Sequence, residues 1–450
     1  MIYQHLLFAE SSLPRTLNSN MLTITPDRNM ADHTRYYACV LLLTSCCGML
    51  GCIRAEDVGE ATLVYQWASL DYDWPDDATR QSAIDEGRYV PENIIATGIK
   101  VHGPVVYLTT PRWRDGVPAS LSSVVETSGG RAVLRPFPSW EMNQLGNCSA
   151  LQSVQSMEVD PLGRMWIADV GGACAPKLII YDIKTDDVIR TYTFPSDVAN
   201  TNDTYLNDIV IDTSADDPDD WFAYISNSRN PGGLVVYDYR RDSSHKVFHS
   251  SMNAEPDATL MTINGRNYTF DVASDGIALS PLGNNMKVYY CALSGYNLYS
   301  VPTSVIKQPV VTDISSSVKQ EGRKVSQSDG LVVSQEGNLY FAALHLNAVY
   351  RWDTSSEDVS SATELVSDDV TMQWADTFAF DDEGYLWFIA NRLHMWRVNE
   401  LTFTGSEQNF LVWKVYVGEK SYMHKSGGKT IRADLMLCLV AVLYAVISTM

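Results

Sequence analysis

One pattern recurs six times along this chain and limits what it can become. An alternating or apolar run meets a turn rich in Gly, Asp or Pro, and an aromatic-rich run follows. The six occurrences are "NIIATGIKVHGPVVYLTTPRW", "SVQSMEVDPLGRMWIADVG", "LNDIVIDTSADDPDDWFAYISNS", "SDGIALSPLGNNMKVYYCAL", "SDGLVVSQEGNLYFAAL" and "ADTFAFDDEGYLWFIAN". Several continue into a further strand pair, such as "KLIIYDIKTDDVIRTYTF" or "GLVVYDYRRDSSHKVF". The units lie on the order of 50–65 residues apart, the size of a four-stranded blade with its loops. A blade has two apolar faces and cannot bury them alone. Stacking blades around an axis buries both faces and leaves only short edges. The pattern therefore predicts an all-β chain folded as a six-bladed β-propeller. Two separate β-sandwiches are the competing architecture, and one hairpin repeated at a long period argues against them. The turns agree, since "DPLGR", "SPLGNN", "SQEGN" and "DDEGY" each place Gly or Asn where a hairpin needs positive φ.

Both ends read as targeting segments around a body at 56–425. Residues 1–55 form an N-terminal extension with a signal peptide. The apolar run "YYACVLLLTSCCGMLGC" (36–52) follows Arg35 and precedes a polar junction, with cleavage expected near Ala55 or Gly51. A start at Met30 would give that leader an ordinary length. At 426–450, three small residues (Ser426, Gly427, Gly428), a short polar spacer and an apolar tail resemble a glycosylphosphatidylinositol signal. A retained tail anchor is the alternative. Either reading expects a secreted, extracellular protein, attached to the membrane through the tail.

Cysteine usage agrees with secretion. Cys39, Cys46, Cys47 and Cys52 fall in the leader and Cys438 in the tail, leaving Cys148, Cys174 and Cys291 in the body. The simplest arithmetic is one disulfide, Cys148–Cys174, and one thiol. Sequons at Asn147, Asn202 and Asn267 fit a glycosylated surface. The formal net charge of −21 repels nucleic acid and anionic lipid. What remains is a preference for cationic ligands, or plain solubility.

The segments "RQSAIDEGRYVPENIIATGIKVHG", "PRWRDGVPASL" and "RPFPSW", with "GRMWIADVG", "KLIIYDIKTDDVI", "GLVVYD" and "GYLWFIAN" further on, resemble the yellow/major royal jelly protein family. The resemblance runs from about residue 65 to about residue 398. It implies a secreted six-bladed propeller. It also implies a spread of functions: cuticle pigmentation, conversion of dopachrome, nutritive glycoproteins, and salivary proteins that bind biogenic amines. Two departures stand out. Leu162 occupies a position before "GRMW" where many members carry a cysteine, and the anchor-like tail is not a usual family feature.

Aligning the repeats exposes one constellation. Asp208 ("LNDIV"), Asp275 ("SDGIA"), Asp329 ("SDGLV") and Asp376 ("ADTFA") fall just before the first apolar strand of four units. In a propeller the inner strand of each blade begins there, near the mouth of the central channel. Carboxylates around one opening suit an ammonium group through charge-assisted hydrogen bonds. Trp374, Trp387, Tyr385 and Phe378 could add cation–π contact, and Thr377 and Asn391 further polar groups. The expected ligand is a small cationic amine or a catechol derivative. The competing reading is that each Asp caps its own tight turn.

Two enzyme alternatives stand beside the binding module. One is a dopachrome-type tautomerase in which a channel carboxylate or histidine (His345 or His394) moves the proton. The other is a calcium-dependent lactonase-like hydrolase with metal held by Asn207, Asp208 and Asp212. "DDPDD" (216–220) lacks EF-hand spacing and reads as a solvated loop. The body has no phosphate-cradling Gly loop, no CxxC pair and no G-x-S-x-G, so no cofactor or resident metal is expected. Nothing in the sequence speaks to oligomeric state. Finally, "TTPRWRDGVPASL" (109–121) reads as a first-blade hairpin whose Arg112 and Arg114 share one face and pair with acidic groups of an adjoining blade.

Overall fold

Each repeat folds into an antiparallel four-stranded sheet, and six such sheets make up a β-propeller in a computed structural model describing residues 59–309, 313–404 and 406–424. The leader expected at 1–55 and the anchor signal expected at 426–450 lie outside the described residues. Blades one to six begin with inner strands Ile99–His102, Val154–Val159, Leu206–Asp212, Ser274–Leu279, Leu331–Val333 and Ala375–Phe380. The sixth blade is completed from the other end of the chain. Thr62–Trp67 supplies its outermost strand and pairs antiparallel with Phe410–Tyr416, Trp67 opposite Phe410 and Leu63 opposite Trp413. Joining the two ends of the body in one sheet removes the open edge that a linear array of blades would leave.

The turns in "DPLGRMW" (160–166) and "DDEGYLW" (381–387) have a shared local cause. Asp160 Oδ1 accepts from the Leu162 and Arg164 amides, while Oδ2 accepts from Trp166 Nε1 at 2.9 Å. Asp381 does the same for Glu383, Tyr385 and Trp387 Nε1, the last at 2.8 Å. One carboxylate thus caps the hairpin and fixes the indole that packs the blade. Gly163 and Gly384 take φ of +82° and +95° in these turns, a conformation that costs glycine little. Gly283 in the fourth blade's turn does not adopt positive φ, contrary to expectation.

The disulfide joins Cys148 to Cys174, tying the loop that enters blade two to the loop after its second strand. Cys291 is a buried thiol. Asn147, Asn202 and Asn267 are all exposed. At the "DDPDD" tip, Asp217 caps the turn Pro218–Asp220 and pairs with Arg240 at 2.6 Å.

The "TTPRWRDGVPASL" segment departs from expectation. Val105–Thr109 and Leu121–Glu126 do pair, with Thr109 opposite Leu121. Residues 111–116 are loop, however, so Arg112 and Arg114 share no strand face. Arg112 is enclosed and donates to the carbonyls of Val117, Pro118, Asn143, Leu151 and Gln152 rather than to a carboxylate. Arg114 lies over the Trp396 ring of blade six, its Cζ 3.7 Å from the centroid.

One end of the channel is filled by the segment after the last strand. Tyr422, 2% exposed, donates its hydroxyl to Ile211 O at 3.1 Å and accepts from Ile211 N at 2.9 Å. Its own amide donates to Val333 O. Beside it, Lys100 Nζ pairs with Glu158 at 3.1 Å.

Candidate functional site

The inner strands carry the site because four of the six break their ladders at the same point. Register shifts fall between Val154 and Ser156, Leu206 and Ile209, Ser274 and Ile277, and Ala375 and Phe378. Such a bulge leaves extra residues unpaired and re-aims their side chains. Superposing the strands on Met157, Ile209, Ile277, Leu331 and Phe378 puts Gln155, Asn207, Asp275, Asp329 and Asp376 in one ring. All five line the cavity at the open end of the channel, which has a volume of about 720 Å³.

The next position serves packing. A Cβ on Gly276 would lie 2.3 Å from Asp329 O, and one on Gly330 would lie 2.4 Å from Asp376 O. Glycine there lets neighbouring inner strands close together at the axis. "SDG" therefore encodes an acid facing the cavity and a gap for the next blade.

This register corrects the placement of Asp208. Its ring-equivalent is Asn207, and Asp208 lies one position on, matching Gly276, Gly330 and Thr377. Asp208 and Thr377 line a much narrower constriction deeper in the channel, with Phe378 and Lys100. Asn391 is fully buried; it donates to Asp376 Oδ2 at 2.6 Å and to Ala96 O at 2.8 Å, and so positions Asp376. The four acids thus divide into three at the mouth and one below.

The walls come from loops that the repeats do not encode. Trp113, Phe270 and Trp396 supply aromatic surface; Arg114, Arg229 and Arg397 supply positive charge. Tyr205 donates to Gln155 Oε1 at 2.8 Å and accepts from Trp113 Nε1, linking the first-blade loop to the ring. Of the aromatics expected here, Trp374 alone reaches a mouth carboxyl, donating Nε1 to Asp329 Oδ2 at 2.6 Å. It does so from a left-handed backbone, φ +57°, strained for a bulky residue. Trp387 and Tyr385 lie elsewhere, near Lys414.

The mouth carboxyls have neutral partners but no ion pair among the described residues. Asp275 accepts from Asn207 Nδ2 at 2.6 Å and hydrogen-bonds the Asp329 carboxyl. Burial first, and repulsion among the neighbouring acids second, hold Asp275, Asp329 and Asp376 well above the usual carboxylate range. Burial pushes Asp208 up to about 6 against the pull of Lys100. The mouth carboxyls therefore hold their protons more tightly than ordinary carboxylates do, and a cation placed there would compete with those protons.

Among the described residues, no histidine lines this cavity. His394 is 2% exposed, stacked on Trp374 and edge-on to Tyr268; burial, then Arg392 and Arg266, lower it to about 3. His345 is exposed and bonded to Thr262 O. The Asn207, Asp208 and Asp212 grouping does not form either. Asp212 accepts from Tyr224 at 3.1 Å and pairs with Lys307 at 2.7 Å, while Asn207 and Asp208 face different cavities. Among the described residues, no group of three or more His, Cys, Asp or Glu is placed to hold a metal.

A sequence model of the family described as Major royal jelly protein matches residues 152–423. Major royal jelly protein 1 of Apis mellifera is 30% identical over 337 residues, covering 71% of this chain and 76% of its own. Protein yellow of Drosophila erecta is 26% identical over 370 residues, 78% of this chain and 67% of its own. Dopaminechrome tautomerase of Drosophila melanogaster is 27% identical over 397 residues, 81% of this chain and 83% of its own.

Proposed function

Because this chain belongs to the major royal jelly protein family, we propose that it is an extracellular propeller holding a small cationic amine or catechol-type ligand in the mouth cavity. The observation that carries this reading is the group of three buried carboxyls, Asp275, Asp329 and Asp376, beneath an aromatic wall. An ammonium group placed there exchanges a carboxyl proton for a charge-assisted hydrogen bond, in a site where burial strengthens the attraction. Trp113, Phe270 and Trp396 offer ring faces to the same ligand. The disulfide and the three exposed sequons favour an oxidising, extracellular setting.

The proton-holding cluster also favours a second reading, tautomerisation of an aminochrome. That reaction moves protons from ring carbon to quinone oxygen with no net oxidation. A mouth carboxylate would take the carbon-bound proton while a neighbouring protonated carboxyl donates to oxygen. The similarity to a dopaminechrome tautomerase agrees with it.

Calorimetric titration with dopamine and serotonin tests the first reading. Wild type should bind, and Asp376→Asn should bind about tenfold more weakly through loss of one charged hydrogen bond. No heat with wild type at millimolar ligand overturns it. Decolourisation of dopaminechrome above the buffer rate, lost in Asp376→Asn, would establish the second.

A further inference from the structure

The cavity is acidic at its floor and basic at its rim, and the rim is anomalous for this molecule. The chain carries 54 acidic against 33 basic residues, so an arginine rarely lacks a carboxylate neighbour. Among the described residues every arginine but four pairs with an Asp or Glu within 4.0 Å. The four are Arg112, Arg114, Arg229 and Arg397. Arg112 is enclosed by carbonyls. The other three all line the mouth cavity.

Arg114 is half-buried, Arg229 and Arg397 are exposed, and all three keep donors to offer. Arg114 stacks on Trp396 and donates one Nη2 hydrogen to Trp396 O at 2.8 Å. Arg229 donates through Nη1 to Asn202 O. The Arg397 guanidinium sits 5.3 Å from the Phe270 ring centre. A guanidinium has five N–H donors and forks onto a planar anion, so these contacts leave donors unused. The single acid among the rim side chains, Asp271, accepts from Asn230 at 2.7 Å. The basic rim and acidic floor also come close together on one side. The Tyr205 phenol feels both Asp275 and Arg229, and Arg229 directly follows Ser228, which accepts from Asn207 in the ring at 2.7 Å.

We infer that the ligand is a zwitterion: an aromatic amine whose cationic nitrogen meets Asp275, Asp329 and Asp376 and whose anionic group meets Arg114, Arg229 and Arg397. This rests on the amine-binding reading and narrows it. A plain amine would leave three arginines unmatched and repelled by its charge; an amine bearing an anion satisfies both. The anion is either an α-carboxylate retained next to the nitrogen or a sulfate on the ring.

Matched ligands separate these outcomes. Calorimetry would compare dopamine with DOPA, tyramine with tyrosine, and dopamine with its O-sulfate, on wild type, Arg229→Gln and Arg397→Gln. The anion-bearing partner of at least one pair should bind about tenfold more tightly to wild type. The carboxylate and sulfate arms tell which anion the rim takes. Each arginine variant should weaken that partner while strengthening dopamine, because the same charge attracts one and repels the other. Opposite shifts cannot come from a misfolded cavity. If dopamine binds wild type at least as tightly as every anionic counterpart, this inference is overturned and the amine reading stands. If the variants weaken both kinds of ligand together, the arginines are wall and not anion site, and the inference falls. If nothing binds at millimolar concentration, the amine reading and this one fail together.

Discussion

The two ends of the channel are built from the same six strands and treat charge in opposite ways. At the closed end, Lys100 pairs with Glu158, Asp160 with Arg164 at 2.6 Å, and the Tyr422 hydroxyl satisfies both backbone groups of Ile211. At the open end, three carboxyls and three arginines line one cavity with no ion pair to any of them among the described residues. The carboxyls are buried there, whereas Arg114 is half-buried and Arg229 and Arg397 are exposed. Ionising a buried carboxyl with no opposite charge beside it is unfavourable, and groups perturbed in this way cluster where a ligand completes them. The closed end is therefore a structural seal, and the open end is the surface we propose receives the ligand.

The largest effect should follow from breaking the seal. Tyr422→Ala removes a buried ring and its two hydrogen bonds, and should lower unfolding free energy by about 3–5 kcal/mol in urea titration. Ligand affinity at the mouth should stay within about twofold, since Tyr422 is absent from that cavity. A parallel loss of affinity would mean that the two ends are not independent.

A smaller effect is expected at the boundary. The folded value of Asp208, about 6, lies above its ordinary value of 3.8, so the folded state holds the proton more tightly than the unfolded chain. Its contribution to stability is thus full below about pH 4 and is lost as pH rises through about 6. Asp208→Asn should raise stability at pH 7.5 by on the order of 2 kcal/mol and change it little at pH 4. Equal effects at both pH values would remove Asp208 from the buried, proton-holding group.

The smallest effect is the most diagnostic of the mouth. Raised carboxyls must lose protons to a cationic ligand, so affinity for dopamine should fall as pH drops, by at most about tenfold over one pH unit for each proton displaced. Calorimetry in buffers of differing ionisation enthalpy would count the protons released; none released would place the nitrogen away from Asp275, Asp329 and Asp376.

Much of this was legible in the chain itself, for reasons of range. Hairpin periodicity, turn residues and the "SDG" pattern are local, and six repetitions of a local rule imply a propeller with acids at the axis. Asp275, Asp329 and Asp376 were visible on that basis. Asp208 was misplaced because "LNDIV" matches "SDGIA" through its apolar Ile209 and not through its aspartate, so Asn207 takes the ring position, and a one-residue slip in a strand sends a side chain to a different layer. "TTPRWRDGVPASL" shows the same limit from the other side. Pattern alone reads it as a paired hairpin with ion-paired arginines, yet it encloses Arg112 in carbonyls and delivers Trp113 and Arg114 to the mouth.

By itself, then, the sequence determined the repeat, its all-β character, the number of blades and three of the acids that ring the axis. The tertiary structure alone decided the closure of blade six by Thr62–Trp67, the seal at Tyr422, and the meeting of Arg114, Arg229 and Arg397. The physical reason is that strands are specified by neighbours a few residues away. A cavity wall is assembled from loops of separate blades, whose proximity exists only once the ring has closed.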